Sequence, residues 1–209
     1  MAAFKIIPAP LALKDEIKDL SRQTFKEHRA RQPWTFAENT FDLIISDVFD
    51  SLFRDGKKTR QESPNLLVAM SQDQFAGYVL LMPNIPADFE ESANATIFDI
   101  CVRPEFRGQG AARALLDHVI ALSQQQDWDN LDAQVWVGNV GSDRLFQSAG
   151  FTPQSTTYRI GPNRKARDIR LRDIQPPPSP SRWTWLITWW PALIAIPVVF
   201  ILATFKTWR

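Results

Sequence analysis

The stretch DICVRPEFRGQGAARALLDHVI, residues 99–120, decides how this chain is read. A strand runs out at Val102, a turn reverses over Arg103 to Gln109, and small residues open a helix at Gly110. Gly108 and Gly110 let backbone N–H groups approach a ligand closely, and Ala111 and Ala112 leave the first helical turn uncrowded. Unpaired amides and the positive end of the helix dipole make such a corner a cradle for an anion. Arg107 and Arg113 can add charge to it. A glycine-containing turn is often nothing more than a turn, so the named phosphate motifs must be tried on the letters. A dinucleotide fingerprint needs Gly or Ala three residues after Gly110, where Arg113 stands. A P-loop needs Gly-Lys-Ser/Thr at the helix start, but two alanines follow Gly110. Neither motif fits.

On either side the pattern alternates between element types. Leu13, Ile17, Leu20 and Thr24 recur at three- and four-residue steps and predict a helix from Leu11 to Arg29. A second helix follows from Phe41 to Phe53, after an interruption at Gln32, Pro33 and Trp34. Leu66 to Met70 and Phe75 to Met82 read as strands joined by the polar turn Ser71, Gln72, Asp73, hence a hairpin. Thr96 to Val102 is the strand entering the glycine turn. Leu115, Leu116, Val119 and Leu122 mark one side of the helix that leaves it, expected to end at Gln126. A strand from Leu131 to Val137, a short helix from Val140 to Ala149, and an antiparallel pair, Phe151 to Ile160 with Ala166 to Ile174, complete the order. Helices first, a hairpin, then strand–helix–strand–helix predicts an α/β chain with a mixed sheet covered by helices.

Residues 99–120 resemble the acetyl-CoA motif of the GNAT superfamily of N-acetyltransferases, in which Arg/Gln-x-x-Gly-x-Gly/Ala cups a pyrophosphate. Arg107, Gly110 and Ala112 occupy those positions. A second match follows in order: the strand VWV, then Asn139, then LFQSAGF ending at Phe151. The resemblance implies the GNAT-like fold, a mixed and mostly antiparallel sheet flanked by helices, over about residues 5–174. It implies acetyl-CoA as co-substrate, with no metal. By the same resemblance the backbone of Ile100, Cys101 and Val102 would bind the pantetheine arm like an added strand, where the sheet splays beside the strand starting at Leu131. The amides of Gly108, Gln109, Gly110, Ala111, Ala112 and Arg113 would hold the pyrophosphate, and Asn139 would meet the pantetheine or its cysteamine end. An amine would attack the acetyl carbon directly.

The chain departs from the family where protons move. Many members carry Tyr at the position of Phe146, where it protonates the leaving thiolate; Phe cannot. Gln134 stands where the ribosomal-protein alanine acetyltransferases carry a Glu base. General acid or base help is typically worth about 10²–10⁴-fold. Asp99, on the strand beside the thioester position, is the first candidate to take the amine's proton; the competing reading is a carboxylate facing a helix on the opposite side from Ile100 and Val102. Glu105 reads as a solvated turn residue, Cys101 as a small buried strand residue, and His118 as a surface residue. In this family the acceptor pocket is framed by the first two helices and their connection. Here the connection carries Arg29, Arg31, Pro33, Trp34 and Phe36, an aromatic and basic rim or simply a cover for the core.

Composition sets the surroundings. A single cysteine excludes an internal disulfide framework and a cysteine-rich metal site. A formal charge of +1 gives no bias toward nucleic acid, and no nucleic-acid partner is expected. The mean hydropathy of −0.23 conceals a split. Residues 1–175 read as the enzyme-like domain and 176–182 as a Pro-rich linker. Residues 183–205, from Trp183 to Phe205, carry no charge, leaving a tail at 206–209. At about 1.5 Å per residue such a helix spans the roughly 30 Å hydrocarbon core. Trp183, Trp185, Trp189 and Trp190 at its start and Trp208 beyond its end resemble interfacial aromatic belts. Arg164, Lys165, Arg167, Arg170, Arg172 and Arg182 precede it, against Lys206 and Arg209 beyond, so the domain is expected on the cytoplasmic side of a single-pass anchor in the lipid bilayer. The expected activity is transfer of an acetyl group to an amine near that surface (a protein N-terminus, a lysine or a small amine). A non-catalytic acetyl-CoA-binding or scaffold protein is the alternative raised by Phe146 and Gln134.

Overall fold

The computed structural model describes residues 3–33, 37–56, 58–83 and 95–155. In chain order these form β1 (Lys5–Pro10), a 3-10 turn, α1 (Lys14–Arg31), a π-turn at Phe41–Ile45 running into α2 (Ser46–Leu52), and the short strands β2 (Arg54–Asp55) and β3 (Lys58–Thr59). Then come β4 (Glu62–Ser71), β5 (Gln74–Pro83), β6 (Ala95–Val102), a 3-10 turn at Pro104–Phe106, α3 (Ala111–Gln125), β7 (Leu131–Ala133) and α4 (Val140–Ser148). The described residues fall into two compact units, one of residues 3–21, 60–83 and 95–155, the other of 22–33, 37–56 and 58–59.

The first unit is built on a five-stranded sheet of order β1-β4-β5-β6-β7. Its first three pairings are antiparallel and β6–β7 is parallel, the mixed, mostly antiparallel sheet expected. The β4–β5 hairpin closes through Gln72 and Asp73, both at positive φ (47° and 65°), the two-residue geometry whose twist suits the flanking strands. β1 was not expected as a strand, because Pro8 and Pro10 break its apolar run. It sits at the sheet edge, where a missing N–H is tolerated.

Strand alternation sorts the two faces. Leu67, Ala69, Val79, Leu81 and Ile97 pack with Ala111, Leu115, Leu116 and Val119 of α3 and with Phe146 of α4. Leu66, Val68, Tyr78 and Leu80 are buried on the other face, where Ser21 of α1 reaches Asp99. Burying each α3 leucine contributes about 1.5–3 kcal/mol, enough to fix this helix, and so its N-terminus, at the end of β6.

One expectation needs correcting. The strand expected over Leu131 to Val137 ends at Ala133. The cause lies in its neighbour. Leu80 faces Asp99 across β5–β6 while Leu81 faces Ile97, so Phe98 is an extra residue and β6 bulges. β7 pairs with β6 only as far as Ile97↔Ala133. Beyond that point the two chains share no ladder.

In the second unit the ring of Phe25 meets that of Phe41 at 5.9 Å, and Arg22 lies over Phe41 while pairing with Asp42. Arg29 pairs with Glu38 at 3.3 Å. The expected helix from Phe41 to Phe53 is present, opened by its π-turn. Residues 151–155 have no regular structure. The rest of the last strand pair, the linker 176–182, the helix 183–205, the tail, Trp34 and Phe36 lie outside the described residues. Among those described, no helix is long and apolar enough to cross a membrane.

Gly77 lies opposite Val102. A Cβ there would overlap the Cys101 carbonyl oxygen and come within 2.9 Å of the Val102 Cα, so only glycine lets β5 support the end of β6 this closely. Gly77→Ala is expected to cost about 1–3 kcal/mol, and Leu116→Ala, at a fully buried position, about 2–5 kcal/mol. Urea unfolding of both variants checks this; wild-type midpoints would contradict it.

Candidate functional site

The corner between β6 and α3 is held by its own backbone. Arg103 N–H donates to the Ala76 carbonyl at 2.9 Å, pinning the strand end on β5. Phe106 and Arg107 N–H groups close the 3-10 turn onto Arg103 and Pro104, and the Gln109 side chain donates to the Glu105 carbonyl at 2.6 Å. Gly108 and Gly110 adopt φ of 74° and 95°, left-handed values that side chains other than glycine adopt at a cost of about 1–2 kcal/mol. Gly110 is the residue before the helix, and the first helical bond runs from Ala114 N–H to its carbonyl at 2.9 Å. The amides of Ala111, Ala112 and Arg113 precede any carbonyl the helix can offer them. A Cβ built on Gly108 or Gly110 meets nothing within 4 Å. The space beside the two glycines is open, and the first-turn amides have no helical partner, an arrangement compatible with an anion such as a diphosphate.

The arginines make contacts within the protein. Arg107 Nε donates to the Val102 carbonyl at 3.1 Å. Arg113 pairs with Asp117 at 2.7 Å and donates to the Ser148 carbonyl at 2.9 Å, tying α3 to the end of α4. Arg103 bridges Glu105 at 2.9 Å and Glu16 at 3.5 Å. These side chains brace the corner, and being exposed they keep their positive charge beside the helix start.

Past the bulge, Ile100, Cys101 and Val102 run along the side of β6 that β7 has left. Ile100 and Val102 turn toward α3, and Cys101 is buried on the opposite face. Asn139 caps α4, its side chain accepting from Ser142 N–H at 3.5 Å. Trp136, Val137 and Val140 around it are exposed. Phe146 is buried in the α3 core, its ring 5.2 Å from that of Phe151, and Gln134 is exposed. His118 is exposed on α3. Among the described residues no three His, Cys, Asp or Glu side chains stand close enough to hold a metal ion.

Asp99 faces α1 on the side opposite Ile100 and Val102, as the competing reading expected, and it has further partners there. Its Oδ2 accepts from the Tyr78 hydroxyl and, at 3.4 Å, from Ser21 Oγ; Cys101 Sγ lies 3.3 Å from Oδ1. Burial pushes the Tyr78 phenol well above its usual range, and the charges of Asp99 and Cys101 push the same way. Neither Tyr78 nor Ser21 was singled out in the sequence. A buried tyrosine needs a partner for its hydroxyl, and that requirement was legible; the strand register that supplies the partner was not.

A family model described as the acetyltransferase (GNAT) family matches residues 17–151, and the chain belongs to that family. The ribosomal protein bS18-alanine N-acetyltransferase of Escherichia coli strain K12 is 31% identical over 74 residues, 35% of this chain and 50% of that enzyme. The chain thus spans about half the length of the curated relatives it matches. A point mutant of the BH1408 protein from Bacillus halodurans shares the fold with a TM-score of 0.62 at 20% identity, over 75% of this chain and 98% of that one. Aminoglycoside N-acetyltransferase AAC(6′)-Iy in complex with CoA gives 0.53 at 15% identity, over 77% and 96%.

Gly110→Glu places a carboxylate in the open space before the amides, in a backbone conformation glutamate resists. Calorimetry is expected to show acetyl-CoA affinity reduced by at least about tenfold. Unchanged affinity would mean that these amides grip nothing.

Proposed function

We propose that this GNAT-family chain is an acetyl-CoA-dependent N-acetyltransferase acting on an amine presented at a membrane surface. The observation that carries the reading is the helix start at Gly110, where the first-turn amides have no helical partner and the space beside the glycines is open, at the end of a strand whose neighbour has turned away. The amides from Gly108 to Arg113 hold the pyrophosphate, and the edge from Ile100 to Val102 aligns the pantetheine. An amide of that edge polarises the thioester carbonyl. The amine nitrogen attacks the acetyl carbon, the C–S bond breaks, and CoA leaves as thiolate while the nitrogen gives up a proton. Asp99 receives that proton. Phe146 has no proton to donate, so water protonates the sulfur, whose pKa near about 8.5 makes it a tolerable leaving group. Alignment and oxyanion stabilisation supply most of the rate.

The acceptor is a protein N-terminus, a lysine or a small amine. The acceptor named for the bacterial relatives is a ribosomal-protein alanine; the exposed Gln134, where that branch carries Glu, argues for a different proton route here. The uncharged residues 183–205 and the basic flank before them support a single-pass anchor with the domain on the cytoplasmic face.

Labelled acetyl-CoA incubated with membrane extract, followed by mass spectrometry, should reveal an acetylated amine. Deleting residues 176–209 is expected to spare turnover of soluble amines and reduce modification of bilayer-held ones. Equal modification of both would remove the role of tethering. Tight coenzyme binding without release of CoA to any acceptor would leave a coenzyme-binding scaffold instead.

A further inference from the structure

We infer that Tyr78, assisted by Ser21, is the positioning residue that aims the Asp99 carboxylate at the acceptor amine; this rests on Asp99 acting as the base. Tyr78 is fully buried on β5, on the face where Ser21 of α1 reaches the sheet. It lies opposite Cys101 in the register, so its side chain shares a face with Asp99 two residues earlier on β6. Its hydroxyl donates to Asp99 Oδ2, and Ser21 Oγ points to the same oxygen from another element. Two donors from separate elements on Oδ2, with Cys101 Sγ 3.3 Å from Oδ1, fix the plane of the group. Asp99 sits immediately beside the bulge residue Phe98, where β6 leaves β7. That is the point from which a thioester lying along Ile100 to Val102 would be approached.

The chemistry of the pair divides the labour. Burial keeps the phenol protonated, so Tyr78 serves as a donor and does not compete with Asp99 for the amine's proton. As the N–C bond forms and the C–S bond breaks, the proton moves from nitrogen to the Asp99 carboxylate, and the Tyr78 hydrogen bond persists through the step. A hydrogen bond to a charged group is worth enough that its loss is felt as about tenfold or more in rate if it shapes the reacting carboxylate.

The test is a mutant cycle in the full chain, with an acceptor amine saturating. Tyr78→Phe removes one oxygen and keeps the ring. It is expected to lower kcat about tenfold and leave the acetyl-CoA KM unchanged. Asp99→Asn should lower kcat further, and the double variant should be no slower than Asp99→Asn alone if the catalytic effect of Tyr78 passes through that carboxylate. Three results overturn the inference while leaving the base assignment standing: wild-type kcat in Tyr78→Phe, a raised acetyl-CoA KM with kcat kept, or independent multiplication of the two losses. Wild-type turnover in Asp99→Asn removes the base and this inference together. Should Tyr78→Phe not fold, Ser21→Ala decides: a kcat loss that vanishes in the Asp99→Asn background supports the assignment, and an unchanged kcat refutes it.

Discussion

A single extra residue in β6 governs the rest of the molecule. Because Phe98 has no counterpart on β5, the strand bends, and the parallel ladder with β7 ends after three paired positions. A sheet interior normally leaves no room for a ligand to lie alongside a strand. Here the divergence creates an edge within the sheet, and it does so next to the turn that carries the aligned amides of α3. The open edge, the phosphate cradle and the Asp99 carboxylate all lie within one strand and the turn that follows it. They are placed together because the bulge, the glycine turn and the hydrophobic docking of α3 reinforce one another.

In the proposed reading, the corner lets a nearly neutral chain attract a multiply charged ligand. Its three nearby arginines are engaged with carboxylates or carbonyls of the protein itself. Exposed ion pairs of this kind contribute little to stability, typically about 0–1 kcal/mol, but they hold the turn in shape. The helix dipole and the first-turn N–H groups are the contributions the proposed reading assigns to the ligand. The field is fixed by backbone geometry, which the two left-handed glycines permit.

Much of this was legible in the letters. The glycine turn, the helix that follows it and the hairpin announced themselves through periodicity and turn chemistry. β1 was not legible, since two prolines contradict a strand unless its edge position is known. The early end of β7 was hidden for a similar reason: Val135 to Val137 is a strand-prone apolar run, and the bulge on its partner ends the pairing. At the site, the residues that touch coenzyme in the family follow from local sequence. Tyr78 and Ser21 do not, because their relation to Asp99 spans 21 and 78 positions and depends on register between strands and a helix.

The margins of the sheet carry a last consequence. Its two long apolar strands, β4 and β5, occupy interior lanes, while the outer lanes are a proline-bearing segment of six residues and a strand of three. Such borders discourage the sheet from recruiting strands of other copies. The protection depends on β1 staying in place. Were residues 5–10 to peel away, the run Leu66 to Ala69, wholly buried in the native fold, would become a bare and fully apolar rim, and self-association would be the hazard that the N-terminal segment holds off.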